Sequence, residues 1–288
     1  MRIGFSLHNN QGIEDVHALV ELAVRAESLG FESVWAHDHV FNVGHVRERI
    51  GSRPYYEPLT LLSYVAARTS RVRLGTSVLV LPYHNPIRLA KAAATLDVLS
   101  GGRLVLGVGV GAIEQEMHAL GVPFKERGAF SDEAITVIRT LWTEEEPRLD
   151  GRYTQFAGMP FSPKPLQRSI PLVIGGVSPA AIRRAARLGD GWQPLGLSPD
   201  ALKAGMARLR EEARAHGRDA SAVPVAIAMT LGAGRPGRAT LGTTPEEISR
   251  NARAYEALGV DSLLVSSVTS DPAQARAALE TVAAALLR

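Results

Sequence analysis

The chain has 288 residues, 45% apolar and 21% charged, with 32 Lys and Arg against 29 Asp and Glu and no cysteine. That length and apolar share suit a large α/β core kept as one domain over 1–288. The missing cysteine excludes disulfides, thiolate catalysis and cysteine-ligated metal, and nearly balanced charge without a dense basic stripe argues against a nucleic-acid surface.

The elements follow one another in a regular alternation. RIGFSL at 2–7 is a short apolar run, and IEDVHALVELAVRAESLG at 13–30 has apolar spacing near that of a helix, with Gly30 placed as its C-cap. SVWAHD at 33–38 is the second apolar run, and a long mixed stretch, VFNVGHVRERIGSRPYYEP, separates it from a helix starting near Pro58. VRLGTSVLV at 72–80 precedes PIRLAKAAATLDVLSGG, where Pro86 opens a helix and Gly101 stops it. RLVLGVGVG at 103–111 is the fourth run. A helix ending near Glu146 leads into PRLDGRYTQFAGMPFSPKPLQRS, in which DGRYTQF predicts a hairpin arm and SPKPLQ a rigid tether. IPLVIGGV, GWQPLGL, VPVAIAMTL and SLLVSSV complete the apolar runs, and SPAAIRRAARLGDG between the first two has Ser178 as N-cap, Pro179 at the first helical position and Gly189 at its end.

Eight nearly continuous apolar runs are what strands buried on both faces require. Alternating with helices, they predict an α/β fold, a (β/α)8 TIM barrel with insertion loops after strands 2 and 4. GVGVG has the wrong glycine spacing for the opening of a doubly wound dinucleotide fold. No window reaches the roughly 18 apolar residues of a membrane span, and MRIGFSLHNNQGIED lacks an apolar signal core. A cytoplasmic enzyme with a small-molecule substrate, and with neither nucleic acid nor membrane as partner, is the expectation.

In such a barrel the chemistry lies at the C-terminal strand ends. His8, His37, His39 and His84 all fall there, whereas His17, His45, His118 and His216 read as surface histidines. His37-x-His39 could place two imidazoles on one side of a strand as metal ligands. Later strands end in GVGVG, IGGVS, QPLG, TLGAG and VSSV, without the further His, Asp or Glu a metal needs, so no metal is expected. A Ser-His-Asp site lacks a G-x-S-x-G elbow. VIGGVSPAAI at 173–182 instead joins a strand, a glycine pair and a capped helix start, which suits either a tight turn or a phosphate held by backbone N–H groups.

GFESVWAHDHV at 30–40, VRLGTSVLVLPYHNPIRLAKAAATLDVLSGGRLVLGVGVG at 72–111 and PLVIGGVSPAAIRRAARLGDGW at 171–192 resemble the luciferase-like flavin and deazaflavin oxidoreductases. The short length and the Asp-His pair look most like the branch that uses coenzyme F420. The resemblance implies hydride transfer between F420 and a small organic substrate. FMN in a two-component monooxygenase, or a flavin-binding protein without turnover, are the alternatives. It assigns Asp38 to the polar edge of the ring and His39 to catalysis as acid, base or substrate polariser. Ser77-Val78 would be a non-proline cis peptide backing the ring, and Gly175, Gly176, Val177 and Ser178 would bind the cofactor phosphate. Phe5, His8 and His84 would line the substrate pocket, and a homodimer is possible. Where sugar-phosphate dehydrogenases of this kind carry a carboxylate after the glycine run, this chain has Ala112. Glu114 and Glu116 are expected to be solvated or capping, and His37 to pack beneath the loop.

Overall fold

The computed structural model describes residues 1–219, 221, 223–232 and 237–287. The chain runs β1 (Arg2–Ser6), α1 (Val16–Leu29), β2 (Ser33–Ala36), α2 (Gly44–Ile50), α3 (Pro58–Arg68), β3 (Arg73–Thr76) and β4 (Leu79–Val80). It continues through α4 (Pro86–Ser100), β5 (Leu104–Gly109), α5 (Glu114–Ala119), α6 (Arg127–Thr143), β6 (Arg148–Asp150), β7 (Gln155–Ala157) and β8 (Leu172–Gly175). The last elements are α7 (Pro179–Leu188), β9 (Gly191–Gln193), α8 (Pro199–Ala215), β10 (Ala226–Thr230), α9 (Pro245–Ala257), β11 (Ser262–Ser266) and α10 (Pro272–Leu286).

The main sheet has the order β10-β11-β1-β2-β3-β5-β8-β9, and each adjacent pair is parallel. Isolated parallel bridges from Trp192 to Val225 and from Leu195 to Ala228 bring its two edges together. The result is the eight-stranded barrel expected from the eight apolar runs. Its helices are capped as the sequence indicates. Gly30 and Gly101 end α1 and α4 in the left-handed region, and the Ser178 Oγ accepts from the Ala181 N–H at the start of α7.

Strand alternation divides the core in two. The large cluster between sheet and helices includes Phe5, Val34, Leu74, Leu106 and Ile174, while Trp35, Val105, Val173, Ala228 and Leu264 form a separate cluster. Trp35 lies across the space that Gly4 and Gly75 leave open; a Cβ at either would come within 2.7 Å of its ring. Its Nε1–H donates to the Ser33 Oγ at 2.9 Å. This indole therefore fills the barrel beneath the C-terminal strand ends.

Two connections are elaborated. The one from β2 to α3 carries α2, and Asn9 holds its ends: the side-chain amide donates to the His37 and Tyr56 carbonyls and accepts from the His37 N–H. The one from β5 to β8 carries α5, α6 and the antiparallel hairpin β6–β7. Glu133 of α6 pins that hairpin by accepting from the amides of Arg152, Tyr153 and Thr154. Among the described residues, no helix is long and apolar enough to cross a membrane.

Candidate active site

Several of the chain's exposed apolar side chains follow the C-terminal ends of the strands. Val40 and Phe41 follow β2, and Val177, Leu195 and Val268 follow β8, β9 and β11. Each is at least 40% exposed. An apolar rim of this kind around polar groups is the usual character of a small-molecule site.

Inside the rim, His39 is held from one side. Its Nδ1–H donates to the Glu116 Oε2 at 2.7 Å, and its Nε2 has no partner among the described residues. Glu116 is fully buried. Its Oε2 also accepts from the Tyr83 hydroxyl at 2.6 Å, and its Oε1 accepts from the Val40 and Phe41 amides at 2.7 and 2.9 Å. Burial alone would raise the carboxyl pKa, but hydrogen bonds from His39, Tyr83 and the Phe41 amide outweigh it and hold it lowered to about 2. The rings of His45, Tyr55 and Tyr83 stand 5.4, 5.7 and 6.3 Å from that of His39.

The other three histidines are tied to neighbours. His8, fully buried, donates from Nδ1 to the Ser6 carbonyl and accepts at Nε2 from the Ser267 hydroxyl at 2.6 Å. Burial lowers its pKa to about 4 despite those bonds. His37 shares a 2.8 Å hydrogen bond with the Ser6 Oγ, and burial lowers its pKa to about 4 as well. His84 donates from Nε2 to the Asp38 Oδ2 at 2.8 Å, and the same oxygen accepts from the Val80 amide. Asp38 thus anchors the segment that follows β3.

That segment contains the Ser77–Val78 peptide, which is cis. Val78 packs where Gly109 and Gly175 have no side chains; a Cβ on either would lie within 2.7 Å of it. Ser77 donates from Oγ to the Gln193 Oε1 at 2.8 Å. Beside it, α7 opens with Ser178 and Pro179. The Gly176 N–H donates to the Gln193 carbonyl, and the Ala181 N–H to the Ser178 Oγ. Among the described residues, the amides of Val177, Ser178 and Ala180 are left without a partner in the chain.

The structure therefore brings His39, Asp38, Ser77, Val78 and Gly175 through Ser178 to one end of the barrel, with His8 and His84 beside them. Phe5 does not line the pocket. It is fully buried, with its ring against His8 and Phe31, because β1 turns Gly4 and Ser6 inward and Phe5 outward to the helix layer. His8 has no exposed surface, so it supports the wall from behind and does not line the pocket. Glu116 is neither solvated nor capping; it lies at the centre of the network. Sequence reasoning missed it, together with Tyr83 and Tyr55; His45, expected at the surface, is exposed there, with its ring 5.4 Å from that of His39. Of the TLGAG strand end, residues 233 and 234 lie outside the described residues.

This chain is 39% identical over 178 residues to the F420-dependent glucose-6-phosphate dehydrogenase of Amycolatopsis mediterranei, a match covering 60% of this chain and 52% of that protein. Its fold superposes on that of an F420-dependent secondary alcohol dehydrogenase, solved with an F420–acetone adduct, at a TM-score of 0.83 and 21% identity, covering 99% and 98% of the two chains. A monooxygenase from Streptomyces bottropensis gives a TM-score of 0.82 at 23% identity, with 100% and 99% covered. At such identities the two solved structures speak for the fold alone. With residues 1–238 matching its pattern, the chain belongs to the luciferase-like monooxygenase family of oxidoreductases.

Proposed function

We propose that the protein is a coenzyme F420-dependent oxidoreductase that transfers a hydride between the deazaflavin and a small organic substrate. The observation that carries this reading is the imidazole of His39, held at Nδ1 and open at Nε2, at the same barrel mouth as the Ser77–Val78 bulge. The F420-dependent relative in Amycolatopsis supports the choice of cofactor.

The residues present fit such a group. Val78, seated between Gly109 and Gly175, offers a firm apolar surface to a flat ring. The amides of Val177, Ser178 and Ala180, at the positive end of α7, suit a phosphate. Asp38 would contact the polar edge of the ring. The chemistry the cofactor supplies when bound is two-electron hydride transfer.

The chain's own part is orientation and proton handling. His39 gives or takes the substrate proton at Nε2, a task imidazole performs near neutral pH. His84 and the Val80 amide hold Asp38 and so fix the segment bearing Val78. Val40, Phe41, Val177, Leu195 and Val268, exposed in the free protein, favour an apolar substrate body that would cover them.

A second reading places FMN in the same mouth for oxygen activation; the match to the luciferase-like monooxygenase family favours it. Titration of the purified protein with F420 and, separately, with FMN, followed by cofactor fluorescence, separates the two. Binding of F420 at micromolar concentration with FMN at least tenfold weaker is the expected result. Tight binding of FMN alone would replace the deazaflavin reading with the monooxygenase one, and binding of neither would overturn both.

A further inference from the structure

We propose that Glu116, backed by Tyr83, is the positioning residue that holds His39 as its Nδ1–H tautomer and so reserves Nε2 for the proton moved in the reaction. The role rests on the reading of His39 as the acid–base group, but the tautomer belongs to the protein alone and is measured without cofactor.

A neutral imidazole has one N–H donor and one acceptor nitrogen, and the partner of one nitrogen decides the state of the other. Glu116 is ionised near neutral pH and therefore only accepts. The nitrogen 2.7 Å from it must carry the hydrogen, which leaves the Nε2 lone pair outward. His45, Tyr55 and Tyr83 are the titratable rings nearest His39, and none of them bonds its Nδ1. The Asp38 Oδ2 is engaged by His84 and the Val80 amide.

Glu116 itself is committed. With four donors on its two oxygens, it cannot also reach a substrate. Two of those donors are the amides of Val40 and Phe41, immediately after His39, so one carboxylate fixes both the ring and the backbone that carries it. Tyr83 sets the direction of Oε2. In the acid–base step a proton passes from a substrate hydroxyl to Nε2, or returns, with no electron transferred. The imidazolium so formed faces a counter-charge already in place, which is preorganised electrostatic support.

The test is 15N NMR of the histidine rings in apoprotein, with the His39 signals identified by their loss in H39A, combined with kinetics. Wild type should show His39 protonated at Nδ1. In E116Q, Oε1 can keep the Val40 and Phe41 amides while the new NH2 faces Nδ1, so the hydrogen should move to Nε2. Turnover should then fall by about 10²–10⁴-fold while cofactor Kd and substrate KM stay within about threefold. Y83F should keep the Nδ1–H tautomer. A wild-type His39 protonated at Nε2, or an E116Q protein that keeps both the Nδ1–H form and its turnover, would overturn the proposal. Should E116Q fail to fold, the wild-type and Y83F spectra decide it. A wild type that shows the Nδ1–H form yet binds no F420 would overturn the functional reading and leave the tautomer assignment standing.

Discussion

The two ends of the barrel use charge in opposite ways. At the base, where strands begin, charged side chains tie the chain together and leave nothing over. Arg103 donates to the carbonyls of Ala66, Thr69, Val72 and Ser100 and to the Thr69 Oγ1. Glu27 accepts from the amides of Ser70, Arg71 and Val72, and Asp190 joins Arg139 to the Leu172 amide. At the mouth, Glu116 accepts four hydrogen bonds and Asp38 two, but their partners include imidazoles, and that of His39 keeps its Nε2 without a partner among the described residues. Closing the fold at one end and presenting chemistry at the other is the division of labour the barrel allows.

Changes at each end should therefore fail differently. The largest effect is expected from H39A, which should lower turnover by about 10²–10⁴-fold and leave cofactor Kd within about threefold; equal losses in both would remove the catalytic role. R103A should destabilise by about 3 kcal/mol in urea unfolding, because several backbone carbonyls lose a charged donor. The fraction that stays folded should bind cofactor as wild type does, and weaker binding by that fraction would blur the contrast between base and mouth.

Acid should strip stability through His8. Burial depresses its folded-state pKa to about 4, against an unfolded value of 6.5. The contribution is thus fully present above pH 6.5 and is lost as pH falls toward 4. The size is about 3 kcal/mol. His37, lowered to about 4 in the same way, adds a like contribution, so urea unfolding at steps between pH 7 and 4 should show both declines and H8Q should remove only the His8 share. The smallest effect is expected from S178A, which removes the α7 cap and should cost about 1 kcal/mol. Because the Val177 and Ser178 amides remain, phosphate-dependent cofactor affinity should fall by less than tenfold, read by the same fluorescence titration.

Much of the fold was legible in the sequence because strands buried on both faces leave continuous apolar runs, and all eight such runs became barrel strands. The caps at Gly30, Gly101 and Ser178 were equally legible, being local chemistry. Glu116 was not. The helix that carries it has only six residues, too few for an amphipathic pattern, and its burial depends on His39, 77 residues away in the chain. Phe5 was misread for a different reason. Its position follows from the period of two along β1, since Gly4 must face Trp35, but an aromatic beside a strand end reads as a pocket wall. His84 was placed at the right end of the barrel, while its bond to Asp38 required the turn after β4 to be known.

The contrast between the ends is tested most directly by amide hydrogen exchange with and without saturating F420. The account predicts slowed exchange at 37–41, 76–80 and 175–180, with no change at 66–73 or 100–104, where the base is already closed. Protection confined to the base, or no protection at the mouth with F420 present, would contradict it.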